Sequence, residues 1–406
     1  MELWIPYGET EVPVRVPDDN FYRVLEPAKP ASPVSVTDLL TAALDNPIGD
    51  VSLARVVKPS TSVGIVVDPM IPAETLREVV ALLKARLASL GVSTVRVFVR
   101  KRYSVSSTSD ASNGSIVLDP LVGPFTDVGK TGHGTNVSLN QQLLSCEVKI
   151  GVTSVRPHFA TGFTGGPEMI IPTSCSEDTI TKNRSLMLKG SPDPAKLDNN
   201  QVLSDSLEAC KMAGPFYSVC LVPDGTGGID SAFAGELEPV FRQGVERHFQ
   251  LHSPKIERRP DIVLVSAGRL SGVDLYHAVR ILSNVSNIMK KDGTIILVAE
   301  CDKGVGNSNF LDYARNFRER KELAAELRYR FKLGGHVNMF LFDMLDKHRI
   351  ELVSVLPDLY VHDTFQLKAC RTASEAVQKA IRAQGKESKI LTINRADHTI
   401  PVLETA

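Results

Sequence analysis

Apolar and polar residues alternate at the start of the chain. "MELWIPYGETEVPVRVPDD" keeps that two-residue period on both sides of Tyr7-Gly8, which predicts a hairpin. Further on the period changes. "TSVGIVVDP" is a continuous apolar run ending at Asp68-Pro69, the pattern of a strand covered on both faces. "AETLREVVALLKARLASLG" spaces its apolar residues three and four apart and stops at Gly91, which predicts a helix, and "VSTVRVFVR" follows as a second strand. Strand, helix and strand within about 40 residues make a βαβ unit, so the sheet is predicted to be parallel there.

The same rhythm continues. "CEVKIGVT" is a strand, "KLDNNQVLSDSLEACKMAG" a helix, "PFYSVCLVPDGTGGIDSAFAGE" a strand, turn and strand, and "LEPVFRQGVERHFQLH" a helix. "HSPKIERRPD" is polar and proline-bearing and reads as a linker. A new series follows: strand "DIVLVSAG", helix "DLYHAVRILSNVSNIMKK", strand "GTIILVAEC", helices "NFLDYARNFRERKELAAELRYRF" and "HVNMFLFDMLDKH", strand "IELVSVL", helix "ASEAVQKAIRAQ" and strand "KILTIN". At 406 residues the chain exceeds one ordinary domain. The expected fold is two α/β domains with mainly parallel sheets and a cleft between them. Residues 1–254 form an N-terminal α/β domain and 255–406 a Rossmann-like C-terminal one. Neither internal repeats nor low-complexity tracts interrupt this pattern.

Composition narrows the class. A hydrophobic share of 43% and a charged share of 23% are ordinary for a globular protein. The formal charge of −1 lacks the basic excess of a nucleic-acid binder. Cys146, Cys175, Cys210, Cys220, Cys301 and Cys370 form no CxxC pair and no zinc-finger spacing, so no metal site is assigned and a reducing compartment is expected. Glu2 and the early glycine and proline do not suit a signal peptide, and no run reaches the ~18 apolar residues of a membrane helix. The expectation is a cytoplasmic protein whose partner is a small-molecule substrate or a nucleotide, with neither nucleic acid nor membrane.

Candidate chemistry gathers where strands run into loops. "VRPHFATGFTGGPEMIIP" follows one strand directly. It holds His158, a hydroxyl on Thr164, and Gly165 and Gly166, whose bare backbone suits close approach to an anion. A structural histidine and a plain tight turn are the alternatives. Asp68 ends an earlier strand, where it either binds a ligand hydroxyl or caps the next helix. Tyr276 and Arg280, four apart, share a helix face, and Arg280 either binds a carboxylate or phosphate or is simply solvated. "CDKGVGNSN" lacks both GxGxxG and the P-loop lysine. His133 lies in a loop, and His336 sits at a helix start or faces the cleft. His248, His252, His348, His362 and His398 read as surface or helix-end positions.

"HFATGFTGG" brings in a resemblance. Together with "DNPIGD", Asp68 and Pro72, "SAFAGE", "LYHAVR" and "GTIILVAEC" in the same order, it resembles the lactate racemase family over about residues 40 to 390. The resemblance implies two α/β domains with the active site between them. It also implies a nickel-pincer nucleotide that takes hydride from the α-carbon of a 2-hydroxy acid and returns it, with two histidines moving the hydroxyl proton. His158 matches one of those histidines, and Ser104 stands where the other is expected. Glu168 stands for the lysine that tethers the cofactor, Arg184 for the nickel-ligating histidine, Ile71 for an arginine, and Arg280 for a lysine whose charge it keeps. The expected protein is therefore a divergent relative. It is either a racemase, epimerase or other hydride-shuttling enzyme acting on a 2-hydroxy acid, or a non-catalytic binding or accessory protein, or a different acid–base enzyme using Glu168 and His158. Its cofactor is unassigned.

Overall fold

Two six-stranded sheets, each flanked by helices, build the protein. The computed structural model describes residues 1–27, 34–101, 114–190 and 195–404. Ser104, the position expected for a second histidine, lies outside them.

The first sheet runs in the order Ile229–Gly235, Phe216–Pro223, Val148–Ser154, Ser62–Val67, Thr94–Arg100, Ile116–Leu118. All neighbours are parallel except the first two, which form the antiparallel edge expected from strand, turn and strand. Val148–Ser154 is buried at every residue, Lys149, Thr153 and Ser154 included, as a strand with neighbours on both sides and helices over the sheet requires. The helix Ala73–Ser89 lays Leu76, Val79, Val80, Leu83 and Leu87 on the sheet at the predicted spacing.

The second sheet runs Lys368–Cys370, Arg349–Val353, Thr294–Val298, Ile262–Ser266, Ile390–Ile393, Phe21–Leu25, all parallel. Its last strand comes from the N-terminus. The hairpin Glu2–Tyr7 and Thr10–Arg15 forms as predicted, and its Ile5 and Val14 pack with Ile262, Leu264 and Ile296 of this second sheet. The first 25 residues, placed with residues 1–254 on sequence, thus lie on the C-terminal domain. A two-residue period marks a hairpin but does not say which sheet its apolar face will cover.

Other differences are local. The helix expected after Asp274 breaks into short turns, Leu275–Ala278, Val279–Ile281 and Leu282–Ser286. The Ser283 hydroxyl donates back to Arg280 O and Asn284 reaches away to Ala396 O, which favours tight turns over a regular ladder. The expected linker contains a strand, Lys255–Ile256, paired with Val402–Leu403.

In each sheet the strand order reverses once, and ligands in open α/β sheets bind beyond the carboxyl ends of strands at such a reversal. In the first sheet it falls between Ser62–Val67 and Val148–Ser154, which deliver Asp68 and "RPH". In the second it falls between Ile262–Ser266 and Ile390–Ile393.

Candidate active site at the domain junction

Phe159 joins the two halves. It is 4% exposed and belongs to the core of the second domain, packed with residues such as Val279 and Phe340. Its ring stacks on His336 at 5.8 Å and lies 5.4 Å from Phe340, and the Arg280 guanidinium sits 5.8 Å from its centroid. Its neighbour His158 is thereby held at the junction, partly exposed. Burial depresses the His158 pKa well below the usual histidine value, and the cations Arg184 and Arg280 and the rings of His336 and His277 act in the same direction. The first domain supplies His158 and Arg184; the second supplies Arg280, His277 and His336.

His158 Nδ1 is enclosed by its own loop. Thr161 Oγ1 lies 2.8 Å away, and the amides of Thr161 and Ala160 point at it from 3.2 and 3.4 Å. Pro157–His158 and Gly162–Phe163 pair as a small antiparallel ladder that closes this loop. The ring's other nitrogen, Nε2, is the one left to meet a substrate.

Arg280 is fixed by Tyr276. Its Nε donates to Tyr276 O at 3.1 Å and its guanidinium covers the Tyr276 ring at 4.6 Å. The shared face expected of this pair is thus realised, although the helix that carries them is broken. Stacking on Phe159 and Tyr276 leaves a planar cation beside His158, suited to a carboxylate or phosphate.

Glu168 lies on the other side of Thr161. Its carboxylate is 3.6 Å from Arg184, with side chains 15% and 7% exposed. Burial, with Asp68 acting in the same direction, raises the Glu168 pKa to about 7 against the attraction of Arg184. Arg184 also donates to Asn183 Oδ1, and Asn183 Nδ2 donates to Asp205, which accepts from Thr131 and Thr135. A buried polar network therefore backs this ion pair.

The remaining sequence candidates have structural partners. Asp68 accepts from the Met70 amide at 2.8 Å and faces Arg156 at 3.8 Å, so it caps a turn, while the residue preceding the helix is Pro72. The Thr164 hydroxyl donates to Ser154 O and accepts from the Arg156 amide, which commits its proton to the loop frame. Gly166 has φ +46°, and a Cβ there would come within 2.8 Å of Phe241. Its bare backbone serves packing. Gly165 has φ +102°, with Ser154 O 3.5 Å from a Cβ built there. "DNPIGD" and "SAFAGE" meet: the Ile48 amide bonds Ala234 O and the Glu236 amide bonds Ile48 O.

Five histidines were expected at surface or helix-end positions; His248, His252, His348 and His398 are instead buried. His248, His252 and His398 pack together, with centroids 4.6, 5.8 and 6.3 Å apart, and tie the C-terminal segment to the helix Leu237–His252. His248 and His252 sit four apart among apolar residues, a spacing that was visible in the sequence. Nothing local in the sequence distinguishes Thr161, Arg156 or Asp274, which bonds His277 Nδ1 at 2.7 Å. A cavity of about 80 Å³ opens beside the site, lined by Met187 and Leu188 from one domain and His336, Met339 and Phe340 from the other; His158 does not line it.

The fold is that of a two-domain α/β protein, and the candidate site draws side chains from both domains at the carboxyl ends of parallel strands. The family models for the lactate racemase N-terminal domain, over residues 7–100 and 123–194, and the lactate racemase C-terminal domain, over 256–398, both match, and the chain belongs to the lactate racemase family. Lactate racemases of Lactiplantibacillus plantarum and Thermoanaerobacterium thermosaccharolyticum are each 23% identical to it over 96% of this chain and over 97% and 96% of their own lengths. The lactate racemase apoprotein structure from T. thermosaccharolyticum superposes with a TM-score of 0.88 at 22% identity, covering 99% of this chain and 100% of that one. A Thermotoga maritima protein of solved structure superposes at 0.65 with 14% identity, covering 91% and 96%. No helix among the described residues is long and apolar enough to cross a membrane.

Proposed function

We propose that this protein is a divergent racemase-like enzyme acting on a 2-hydroxy acid or a closely related small anion at the domain junction. His158 transfers the proton and Arg280 anchors the carboxylate. The observation that carries this reading is the meeting of these two side chains, from different domains, around Phe159. Depression of the His158 pKa keeps its ring neutral near pH 7, which leaves it able to exchange a proton with the α-carbon of a substrate whose carboxylate Arg280 holds. The curated relatives are lactate racemases, which supports the substrate class.

The nickel-pincer nucleotide expected from the family does not fit the residues present. Glu168 stands where a tethering lysine is expected, and a carboxylate has no amine with which to form that link. Arg184 stands where an imidazole ligand is expected, and a guanidinium has no lone pair to offer a metal. The two side chains instead face each other at 3.6 Å. Among the described residues no three His, Cys, Asp or Glu side chains are grouped to hold a metal ion. The acid–base work is assigned to His158 together with Glu168, whose pKa near neutrality suits proton exchange.

The test incubates the purified protein with enantiopure 2-hydroxy acids in D2O and follows chirality and α-carbon deuterium. Turnover with deuterium incorporation, abolished in His158→Ala and with a raised KM in Arg280→Lys, supports the proposal. Interconversion without deuterium incorporation points to hydride transfer and overturns the cofactor-free route. Neither turnover nor calorimetric binding of any 2-hydroxy acid overturns the whole reading and leaves a non-catalytic relative.

A further inference from the structure

Asp274 and His277, three residues apart, form a tight pair in the second domain. Asp274 Oδ1 accepts from the His277 amide at 2.8 Å and from His277 Nδ1 at 2.7 Å. The carboxylate is 0% exposed, while the imidazole keeps 33% of its surface open. Asp274 Oδ2 has no hydrogen-bond partner, and a Cβ at Gly306 would come within 2.3 Å of the carboxyl carbon. Among the described residues the His277 ring is the one side chain that donates to this carboxylate. A carboxylate only accepts, so the neutral His277 ring carries its hydrogen on Nδ1 and its lone pair on Nε2.

His158 is held in the opposite state. The amides of Thr161 and Ala160 only donate, and they meet its Nδ1 at 3.2 and 3.4 Å, so its neutral ring carries hydrogen on Nε2. One ring thus presents a donor and the other a lone pair, the two states that proton transfer at a carbon requires. The two rings approach each other around Arg280. His277 precedes Arg280 by three positions on consecutive helical turns, which makes them neighbours on one face. Ring contacts run without a break from His158 to Phe159 at 5.2 Å, Phe159 to Arg280 at 5.8 Å, Arg280 to Tyr276 at 4.6 Å and Tyr276 to His277 at 5.3 Å. His277 is also one of the groups whose charge acts on His158.

We infer that His277, oriented by Asp274, is a second proton-transfer group of the site, the base that removes the α-proton of the substrate from the second domain's side. This deepens the reading above and rests on Arg280 holding the carboxylate of a 2-hydroxy acid at the junction. As the bond from the α-carbon to hydrogen breaks, His277 Nε2 takes the proton. The electron pair of that bond moves into the carboxylate and gives an enediolate, whose added charge is met by Arg280 and the Nε2–H of His158. The His277 ring becomes an imidazolium against Asp274, the anion already at its Nδ1. Solvent reaches this ring, so in D2O its proton is replaced, and the reverse step returns a deuteron to carbon. Asp274 is a positioning residue: it fixes the tautomer and balances the imidazolium.

Deuterium wash-in at the α-carbon of an enantiopure 2-hydroxy acid, followed by NMR beside calorimetric affinity, tests the assignment. His277→Gln should slow exchange by about 10²- to 10⁴-fold and leave the affinity nearly unchanged. Added imidazole should restore part of the exchange in His277→Ala, which a merely structural role would not allow. Asp274→Asn should lower kcat and leave KM in place; should it fold poorly, His277→Gln, at a partly exposed ring, decides. Exchange at the unmodified rate in His277→Gln overturns the assignment and leaves the reading above standing. Loss of affinity in step with exchange reduces His277 to a ligand contact and overturns the assignment equally. An unmodified protein that fails to exchange, whether or not it binds, removes the reading above and the base with it.

Discussion

Glu168 and Arg184 form an ion pair at 3.6 Å with both side chains nearly closed off from solvent. Burial opposes the charge on each of them, so the pair holds because the partners and the Asn183 network answer that cost together. Arg184→Met is therefore expected to destabilise the protein by on the order of 3 kcal/mol, because it strands a buried carboxyl. Glu168→Lys places two cations together and should cost at least as much. The double variant Glu168→Lys with Arg184→His should recover part of the loss. Urea unfolding midpoints of the three proteins check this order.

Phe159 leaves its own domain to pack in the core of the other, against His336, Phe340 and Arg280. Phe159→Ala should cost roughly 3–4 kcal/mol from lost burial and the cavity left behind. Because the lost contacts cross the junction, unfolding should separate into two transitions. Differential scanning calorimetry would show a second peak, and a single peak shifted down would count against the role assigned to Phe159.

Acid should unfold the protein in a window set by its buried histidines. Burial holds His248 and His252 below the usual value and pushes His336 and His398 down to about 3. For His336 and His398 the unfolded chain then binds more protons than the folded one between about pH 3 and 6.5, so stability rises with pH across that window and is lost as pH falls through it. Each fully neutral buried histidine contributes a slope of up to about 1.4 kcal/mol per pH unit below that point. Glu168 works in the opposite sense. Its contribution is complete below its unfolded value of 4.5 and is lost as pH rises to its folded value of about 7. Unfolding free energies from pH 8 to pH 5 should fall on the acid side, less steeply in His398→Gln, and the shallow loss toward pH 7 should vanish in Glu168→Gln.

Gly166→Ala should destabilise the loop by about 2 kcal/mol, since its φ of +46° is strained for alanine and the new Cβ would strike Phe241 at 2.8 Å. If the glycine served mainly an incoming anion, the variant would keep its melting temperature and lose ligand affinity instead. Thermal melts with and without a 2-hydroxy acid separate these outcomes.

Local periodicity carried much of this architecture. The helix Ala373–Gln384 and the helix Leu237–His252 match the residues read for them, because each has an apolar stripe and clear ends. Strands such as Ser62–Val67 and Ile262–Ser266 read correctly because parallel strands covered on both faces are apolar throughout, whereas Phe21–Leu25, Ile116–Leu118 and Lys368–Cys370 are too short or too mixed for that signal. Within the site, His158, Tyr276 and Arg280 stood out by residue type and by position at strand ends. Thr164 stood out for its hydroxyl, which the structure commits to Ser154 O. Thr161, between His158 and the glycines, carries no signal of its own in the sequence. A threonine's role depends on the atoms within 3 Å of it, and a chain of letters does not contain them.

Two α/β domains, a family and the strand ends that carry the candidate site were all written in short-range pattern, which an individual segment obeys wherever it is placed. Three-dimensional packing alone set the N-terminal strand at the edge of the distant sheet, brought Arg280 and His336 to a histidine more than a hundred residues away, and buried three histidines against one another. Those outcomes come from long-range burial of apolar surface and the pairing of charges that burial brings together, and neither leaves a period in the chain.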